Sequence, residues 1–360
     1  MNKIVFILLV SISIVTTSCL KEDDGIIEIP PLTGAVMNPE MGGAAQPNQI
    51  WIDLSTTNSA QNHRNDWDLG FYSGDEFYVI LNNSIMMAAA SIDETNIDAA
   101  SESDFADVMS IINPGAGFPA QYIDDVKGDY YPNGTAIKAI SDIDEQNKVY
   151  LLKMGYKTYE GDIPAYSTYT AGDVRGYKKI RILRHSGNSY KVLIADLNDT
   201  THQEFIIPKE SNHHFAFLNI ENQALVNIQP IKEDWDICFT VWNNIIEGHG
   251  TYIYPDFVLT NRLSGVGAYM ITTDALNLET EYTNFSIEDV DPSLFNYSDQ
   301  RIIGGTWRST VSGTTSTPIV HNDRFYVLRD PDGVYYKIRF ISMLNENNER
   351  GFPIFEYSPL

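Results

Sequence analysis

The feature that most constrains this 360-residue chain is an internal repeat of three motifs in the same order. The first motif is WDLGF at 67–71 and WDICF at 235–239. The second is KVYLL at 148–152 and RFYVL at 324–328, and the third is YKKIRI at 177–182 and YYKIRF at 335–340. Ordered self-similarity predicts two copies of one fold, which we place at residues 50–205 and 206–360.

The hydrophobic pattern predicts a mainly antiparallel β fold. Alternation places Trp235, Ile237 and Phe239 on a core face with Cys238 opposite, and the same register in copy one turns Trp67, Leu69 and Phe71 inward. Other short runs rich in β-branched and aromatic residues predict strands at 77–81, 180–183, 190–197, 215–220, 257–259, 325–329 and 335–341. Apolar residues at helical spacing predict one helix over 98–112, ended by Asn113-Pro114-Gly115.

The two copies differ between their second and third motifs. Copy one carries an insertion within 154–176, where copy two has only the tight turn expected of Asp332-Gly333. The insertion holds four tyrosines, Tyr156, Tyr159, Tyr166 and Tyr169. It is either a loop packed on itself or a contact surface.

The N-terminus has the pattern of a lipoprotein signal peptide over residues 1–18, followed by Cys19 as the lipidated residue. An ordinary signal peptide with a chance cysteine is the alternative. The stretch Lys21-Glu22-Asp23-Asp24 resembles the export signal of surface lipoproteins of the Bacteroidota. We expect residues 19–49 to form the lipidated cysteine and a flexible tether, and the protein to be held in the outer membrane by its lipid, facing the exterior.

The net charge argues against a nucleic-acid partner, and the cysteine content argues against disulfides. The formal net charge of −24 repels nucleic acid, so a nucleic-acid partner is not expected. With Cys19 lipidated, Cys238 is the one remaining thiol and has no intramolecular partner. Disulfides therefore do not hold the predicted fold together.

The motif order resembles the HmuY family of surface haemophores. In copy two, the Trp-Asp strand is followed by Thr260-Asn261 with Gly265 and Gly267, then by the Phe-Tyr and Tyr-Tyr-Lys-Ile-Arg strands. In copy one the match is weaker, since Asn82-Asn83-Ser84 stands where Thr260-Asn261 is expected. The resemblance implies two tandem HmuY-like β domains with few short helices, and haem held by axial histidines or methionines.

The candidate ligands for haem iron are imidazole and thioether side chains. In copy two these are His249, Met270 and His321, and no local spacing pairs them; an ordinary surface or core role is the alternative for each. In copy one, Met86 or Met87 could ligate, although core packing is favoured. The adjacent pair His213-His214 is interpreted as structural, because neighbouring strand residues face opposite ways.

Two functions remain open. The first is haem capture for iron acquisition, with haem or a haemoprotein and an outer-membrane transporter as partners. The second is a non-catalytic surface binding or assembly module for a glycan, peptide or protein, with the tyrosine insertion as its contact surface. The common zinc-protease, serine-hydrolase and phosphate-loop motifs do not occur in the sequence, and no enzyme activity is expected.

Overall fold

The computed structural model describes residues 34–112, 119–310 and 317–360. The predicted signal peptide, Cys19, the acidic stretch after it and the predicted helix stop at 113–115 lie outside these ranges. Within them the chain forms twenty strands: β1 Ala35–Met37, β2 Asn48–Ile52, β3 Ser59–His63, β4 Leu69–Tyr72, β5 Val79–Leu81, β6 Ala88–Ser91, β7 Tyr150–Lys153, β8 Tyr177–His185, β9 Ser189–Ala195, β10 Gln203–Pro208, β11 Phe215–Asn219, β12 Ala224–Val226, β13 Ile237–Ile246, β14 Gly250–Thr260, β15 Gly267–Thr272, β16 Arg308–Ser309, β17 Ile319–Val320, β18 Arg324–Arg329, β19 Tyr335–Leu344 and β20 Arg350–Pro359.

Helices are short. The two α-helices are α1 Ala106–Ile111 and α2 Leu278–Asn284. Single 3-10 turns occur at Arg64–Asp66, Asn83–Ile85, Glu102–Phe105, Ala120–Tyr122, Asp144–Gln146, Arg262–Ser264, Ile287–Asp289 and Pro292–Leu294. The mainly β class is as predicted, and none of the helices in the described ranges has the length and apolarity needed to cross a membrane.

Four antiparallel sheets carry the fold. The first outer sheet has the order β10-β9-β8-β7-β6, and the first inner sheet β12-β11-β4-β5. The second inner sheet has the order β14-β13-β2-β3, and the second outer sheet β1-β20-β19-β18-β15. The short β16-β17 pair stands apart.

Three apolar cores lie between these sheets. One core joins side chains of the first outer and first inner sheets, such as Ile180 and Leu69, and a second joins those of the second pair, such as Ile338 and Phe239. The third contains Trp67 of copy one together with Phe217, Trp235 and Cys238 of copy two. We call the two sheet pairs the first and second sandwich, and the third core the central core.

The sandwiches exchange hairpins. The hairpin β2-β3 of copy one pairs with β13 of copy two, with Trp51 opposite Cys238. In return, β11-β12 of copy two pairs with β4 of copy one, with Phe217 opposite Gly70. The boundary predicted at 205/206 falls inside β10 of the first outer sheet, and each inner sheet combines strands from both sides of it.

Residues 34–49 of the predicted tether belong to the fold. Strand β1 pairs with β20, where Ala35 lies opposite Tyr357, and Met41 is fully buried in the second core. Gly34 packs so closely on the Tyr357 carbonyl that a side chain would collide with it. An edge strand held by backbone hydrogen bonds needs no apolar alternation, which is why the sequence pattern missed it.

The strand predictions are confirmed at all seven runs, with shifted ends. The helix over 98–112 is present but shorter, beginning as a 3-10 turn at Glu102 and covering the outer face of the first outer sheet through Phe105 and Ile112. The predicted facing of Trp67 and Trp235 is wrong. Both side chains enter the central core, because regular alternation begins only at Leu69 and Ile237.

Candidate functional site

A cleft of about 610 Å³ opens beside the first outer sheet, where the insertion of copy one meets the turn after β11. We call it the insertion cleft. It is lined by the end of β7, the return of the insertion, the start of β8, the turn between β9 and β10, and the β11-β12 turn: Met154, Lys157, Val174, Arg175, Lys178, Ile194, Ala195, Asp196, Asp199, Thr201, His202, Gln203, Ile220, Glu221 and Gln223. Its volume is that of a typical small-molecule site.

The floor of the cleft is apolar and fixed. Met154, Ile194 and Ile220 belong to the core of the first sandwich and are almost fully buried. Val174 adds an exposed apolar side chain on the insertion side, 48% exposed. A planar apolar ligand could therefore lie against side chains that the core already holds in place.

Arg175 forms the charged base of the cleft. Its Nη1 atom is 2.6 Å from Asp68 Oδ1 and donates to the Met154 carbonyl at 3.1 Å, and its Nη2 atom is 3.5 Å from Glu221. Burial raises the pKa of Asp68, and the hydrogen bond and charge of Arg175 oppose that rise. Arg175 is thus committed to a buried carboxylate.

Two further cations stand at the rim. Lys178 Nζ lies 2.5 Å from Asp196 Oδ1, and both side chains are at least one-third exposed. Lys157 is exposed on the insertion side. Exposed lysines of this kind can turn toward an anionic group of a ligand at little cost.

Met154 and His202 are the lining residues with thioether or imidazole donors. His202 Nδ1 is 2.8 Å from Asp98 Oδ1, and its Nε2 is 3.4 Å from Glu204 Oε1. A carboxylate on Nδ1 fixes the ring orientation, which is the arrangement that commonly supports a metal-ligating histidine. The cleft therefore places an imidazole oriented by a carboxylate beside a thioether that is packed in the first core.

The structure does not bring the sequence candidates together. His249 lies exposed in the β13-β14 turn, and Met270 lies in β15 with 41% of its surface exposed. His321 precedes β18, where its Nε2 is 3.1 Å from Ser309 Oγ, and burial lowers its pKa. Across the described ranges, no hydrogen bond or cavity joins two of these three side chains.

The weaker candidates also have structural roles. Met87 is 1% exposed in the first core, and Met86 ends a 3-10 turn in the left-handed conformation. His214 Nε2 is 2.8 Å from Ser264 Oγ, and burial lowers the pKa of its ring to about 4. His213 lies 3.3 Å from Glu210.

Sequence reasoning missed Met154 and His202. Met154 looks like the last residue of a buried strand, and His202 sits in a polar turn, so neither has a local ligand pattern. The insertion was the usable signal, because it supplies Lys157, Val174 and Arg175 to the cleft. Its partners in the β9-β10 turn come from a different part of copy one and could not be paired by spacing.

Comparisons with known proteins identify a family. The family model described as HmuY protein matches residues 45–357. Apo PinO from Porphyromonas gingivitis is 9% identical, covering 91% of this chain and 97% of that chain at a TM-score of 0.27. The apo HmuY analog of Tannerella forsythia is 10% identical, covering 92% of this chain and 98% of that chain at a TM-score of 0.24.

An HmuY-like heme binding protein from Bacteroides vulgatus is 15% identical, covering 40% of this chain and 83% of that chain at a TM-score of 0.23. No curated protein sequence matches the chain. At such low TM-scores the solved structures add no weight, and the assignment follows from the family match alone.

Proposed function

This chain belongs to the HmuY family, and we propose that it captures haem at the bacterial surface, in the insertion cleft. The single observation that carries this choice of site is the pairing, in one cleft, of Met154 with a carboxylate-oriented His202. Haem is the cargo here, and no chemical transformation of it is proposed. The protein's task is to hold the ligand and release it to a partner.

The cleft residues suit the three parts of haem. Haem iron accepts an imidazole and a thioether as axial ligands, which are the donors of His202 and Met154. The porphyrin face is apolar, as are Ile194 and Ile220. The two propionates are anionic, and Lys157 and Lys178 stand at the rim to receive them.

The test is a haem titration of the purified chain lacking the residues before Gly25, followed by absorption spectra in both oxidation states. We expect a saturable low-spin spectrum. His202→Gln and Met154→Leu should each remove it or change its ligand signature, and the leucine preserves the volume of the buried methionine.

Matched replacements at the sequence candidates provide the controls. His249→Ala, Met270→Ala and His321→Ala should leave the spectrum of bound haem unchanged. Loss of the spectrum in one of these three, with His202→Gln unaffected, would move the site to the second sandwich. A titration that gives only the spectrum of free haem would reject haem capture altogether.

We further propose that Cys19 is lipidated, that the mature protein is anchored in the outer membrane facing outward, and that an outer-membrane transporter receives its cargo. The lipobox pattern and the acidic stretch after Cys19 support this. Labelling of cells with a fatty-acid analogue should mark the wild-type chain and leave Cys19→Ser unmarked. Protease treatment of intact cells should degrade the wild-type chain if it faces outward.

A non-catalytic binding module is the second candidate, and the exposed insertion favours it. Tyr169 is 45% exposed and meets Tyr159 edge to face with ring centroids 5.5 Å apart. The loop is also tied down, since the backbone N–H of Tyr166 donates to Asn348 O at 2.8 Å. Under this alternative Tyr169→Ala would weaken capture of a surface glycan, peptide or protein while haem titration stays featureless.

A further inference from the structure

The base of the insertion in copy one is a short two-stranded ladder, formed by residues 155–158 and 172–175. Within it, the backbone N–H of Lys157 donates to Asp173 O at 2.8 Å, and the Lys157 carbonyl accepts the N–H of Gly172 at 2.8 Å. We call this ladder the insertion stem. Three of its residues line the insertion cleft, namely Lys157, Val174 and Arg175.

The other edge of the stem is held by the side-chain amide of Asn65. Its Nδ2 atom donates to Tyr156 O at 2.9 Å, and its Oδ1 atom accepts the N–H of Thr158 at 2.9 Å. One donor and one acceptor thus bind the residues on either side of Lys157, as the backbone of a neighbouring strand would. An isolated two-stranded hairpin is marginally stable, so contacts of this kind determine where the stem lies.

Asn65 belongs to a 3-10 turn that is itself held firmly. The N–H of Asn65 donates to His63 Nδ1 at 3.2 Å, and the N–H of His63 donates to Asp66 Oδ2 at 2.8 Å. The neighbouring Arg64 is 1% exposed and donates to Thr170 O of the insertion at 2.7 Å. The amide therefore holds the stem from a fixed position.

Copy two, which lacks the insertion, also lacks this amide. Counting back from the tryptophans of the two Trp-Asp motifs places Glu233 at the position of Asn65. The preceding residues have equivalent contacts, since the carbonyls of Arg64 and Lys232 each accept a hydrogen bond from an asparagine side chain. The Glu233 side chain is 57% exposed. The amide thus occurs in the copy that has a stem to hold.

We infer that Asn65 is a positioning residue for ligand binding in the insertion cleft, acting through Lys157. Asn65 is not among the described residues that line the cleft. Its amide fixes the backbone on both sides of Lys157, so that only side-chain rotamers remain to be ordered when this cation meets a propionate. The inference rests on the proposed haem function and adds to it the residue that places one rim cation.

The test compares haem with haem dimethyl ester, whose propionate groups are uncharged, by absorption titration of the full chain. Asn65→Ala removes both hydrogen bonds to the stem and should weaken haem binding about fivefold. Its affinity for the ester should change by less than about twofold, because the ester offers Lys157 no anion. A merely structural role would weaken both ligands alike, and that result would overturn the inference.

A double variant tests the path through Lys157. Lys157→Met removes the rim cation and keeps an unbranched apolar side chain, and it should also weaken haem binding about fivefold. In this background Asn65→Ala should add less than about twofold, because the group that it places is already gone. If the two losses multiplied in full, the residues would act independently and the inference would be wrong.

Asn147 supplies the matched control. Its side-chain amide makes the same pair of bonds elsewhere in copy one, since Oδ1 accepts the N–H of Ser141 at 2.8 Å and Nδ2 donates to Ser141 O at 2.9 Å. Asn147→Ala should leave the affinity for haem unchanged. A loss equal to that of Asn65→Ala would mean that general destabilisation explains both, and would overturn the inference.

Hydrogen exchange separates this inference from the proposed function, because it needs no haem. The N–H of Thr158 should exchange about tenfold faster in ligand-free Asn65→Ala than in the wild-type chain. Asn65→Gln, which moves the amide by one methylene, repeats the measurement if the alanine variant does not fold. Unchanged exchange would overturn the inference even where the wild-type chain binds haem. Faster exchange in a chain that binds no haem would instead overturn the proposed function, and with it the ligand role of Asn65.

Discussion

Each sandwich has a buried aspartate at the equivalent position of its Trp-Asp motif, and the two carboxyl groups have different surroundings. Asp68 Oδ2 accepts the N–H of Ile220 at 2.7 Å, and Asp236 Oδ2 accepts the N–H of Leu54 at 2.8 Å. In each case the aspartate accepts a hydrogen bond from a backbone N–H of the hairpin that the other copy contributes. Only Asp68 has a buried cation beside it, Arg175, whose side chain is 4% exposed.

The difference comes from the insertion in copy one. Arg175 belongs to that insertion, which copy two replaces with the Asp330–Gly333 turn. Asp236 instead has Asp330, Asp53 and Asp332 in its surroundings, and burial together with these carboxylates raises its pKa to about 8. A neighbouring cation opposes the rise that burial causes in the pKa of Asp68, whereas no cation opposes the corresponding rise at Asp236.

The largest effect should follow removal of that cation. Arg175→Met leaves Asp68 as an uncompensated buried charge and should lower the free energy of unfolding by about 4 kcal/mol at pH 7.5. Urea unfolding followed by tryptophan fluorescence measures it. Adding Asp68→Asn should restore much of the loss, while Lys178→Met, which breaks a half-exposed pair in the same cleft, should cost less than about 0.5 kcal/mol.

If Arg175→Met lowered the free energy of unfolding by less than about 1 kcal/mol, the two aspartates would not differ. Asp68 would then be buried as a neutral acid, as Asp236 is.

The second prediction concerns pH. Asp236 has a folded pKa of about 8 against about 4 in an unfolded chain, so the folded state holds its proton more tightly. The stabilisation is fully present below pH 4 and is lost as pH rises through 8. Between pH 5 and 7.5 this group alone should remove about 3 kcal/mol of stability.

The Asp236→Asn variant keeps an acceptor for the Leu54 N–H, and its amide does not titrate. The stability of this variant should therefore fall less than that of the wild-type chain over the same pH interval. Asp68→Asn is the comparison, and should leave the decline in place. Equal slopes for Asp236→Asn and the wild-type chain would show that Asp236 is not the titrating group.

The third prediction has the smallest expected effect and concerns a feature that both sandwiches share. Asn82 Nδ2 donates to the carbonyls of Arg64 and Trp67, and Asn261 Nδ2 donates to those of Lys232 and Trp235. Asn82→Ala and Asn261→Ala should each cost about 2 kcal/mol, because each leaves buried carbonyls without a donor. A twofold difference between the two costs in urea unfolding would mean that the asparagines are not equivalent.

The sequence predicted the parts of the fold that depend on local pattern. Strand positions such as β13 and β19 were visible because alternation and β-branched residues act over a few positions. The sequence partly indicates that Asn82 and Asn261 are equivalent, since Asn82-Asn83-Ser84 stands in the place of Thr260-Asn261. Strand partners were not visible, because the pairing of β2 with β13 depends on packing between distant segments.

The candidate site was harder to predict for the same reason. In the sequence, His249, Met270 and His321 are candidates by their donor atoms alone, and donor chemistry without spatial position cannot distinguish a ligand from a surface residue. Met154 and His202 become candidate ligands only because both line the cleft beside β7, β9 and β10. Asp98, which orients His202, is likewise remote in the chain.

The exchange of hairpins also sets the order in which the chain can mature during synthesis. Ile52 pairs with Ile237, so β2 waits until the first third of copy two has left the ribosome before its sheet can close. Closure between such distant segments is slow, which favours a long-lived unfolded chain. We expect this delay to keep the newly made polypeptide unfolded for longer than a chain whose inner sheets close within each copy.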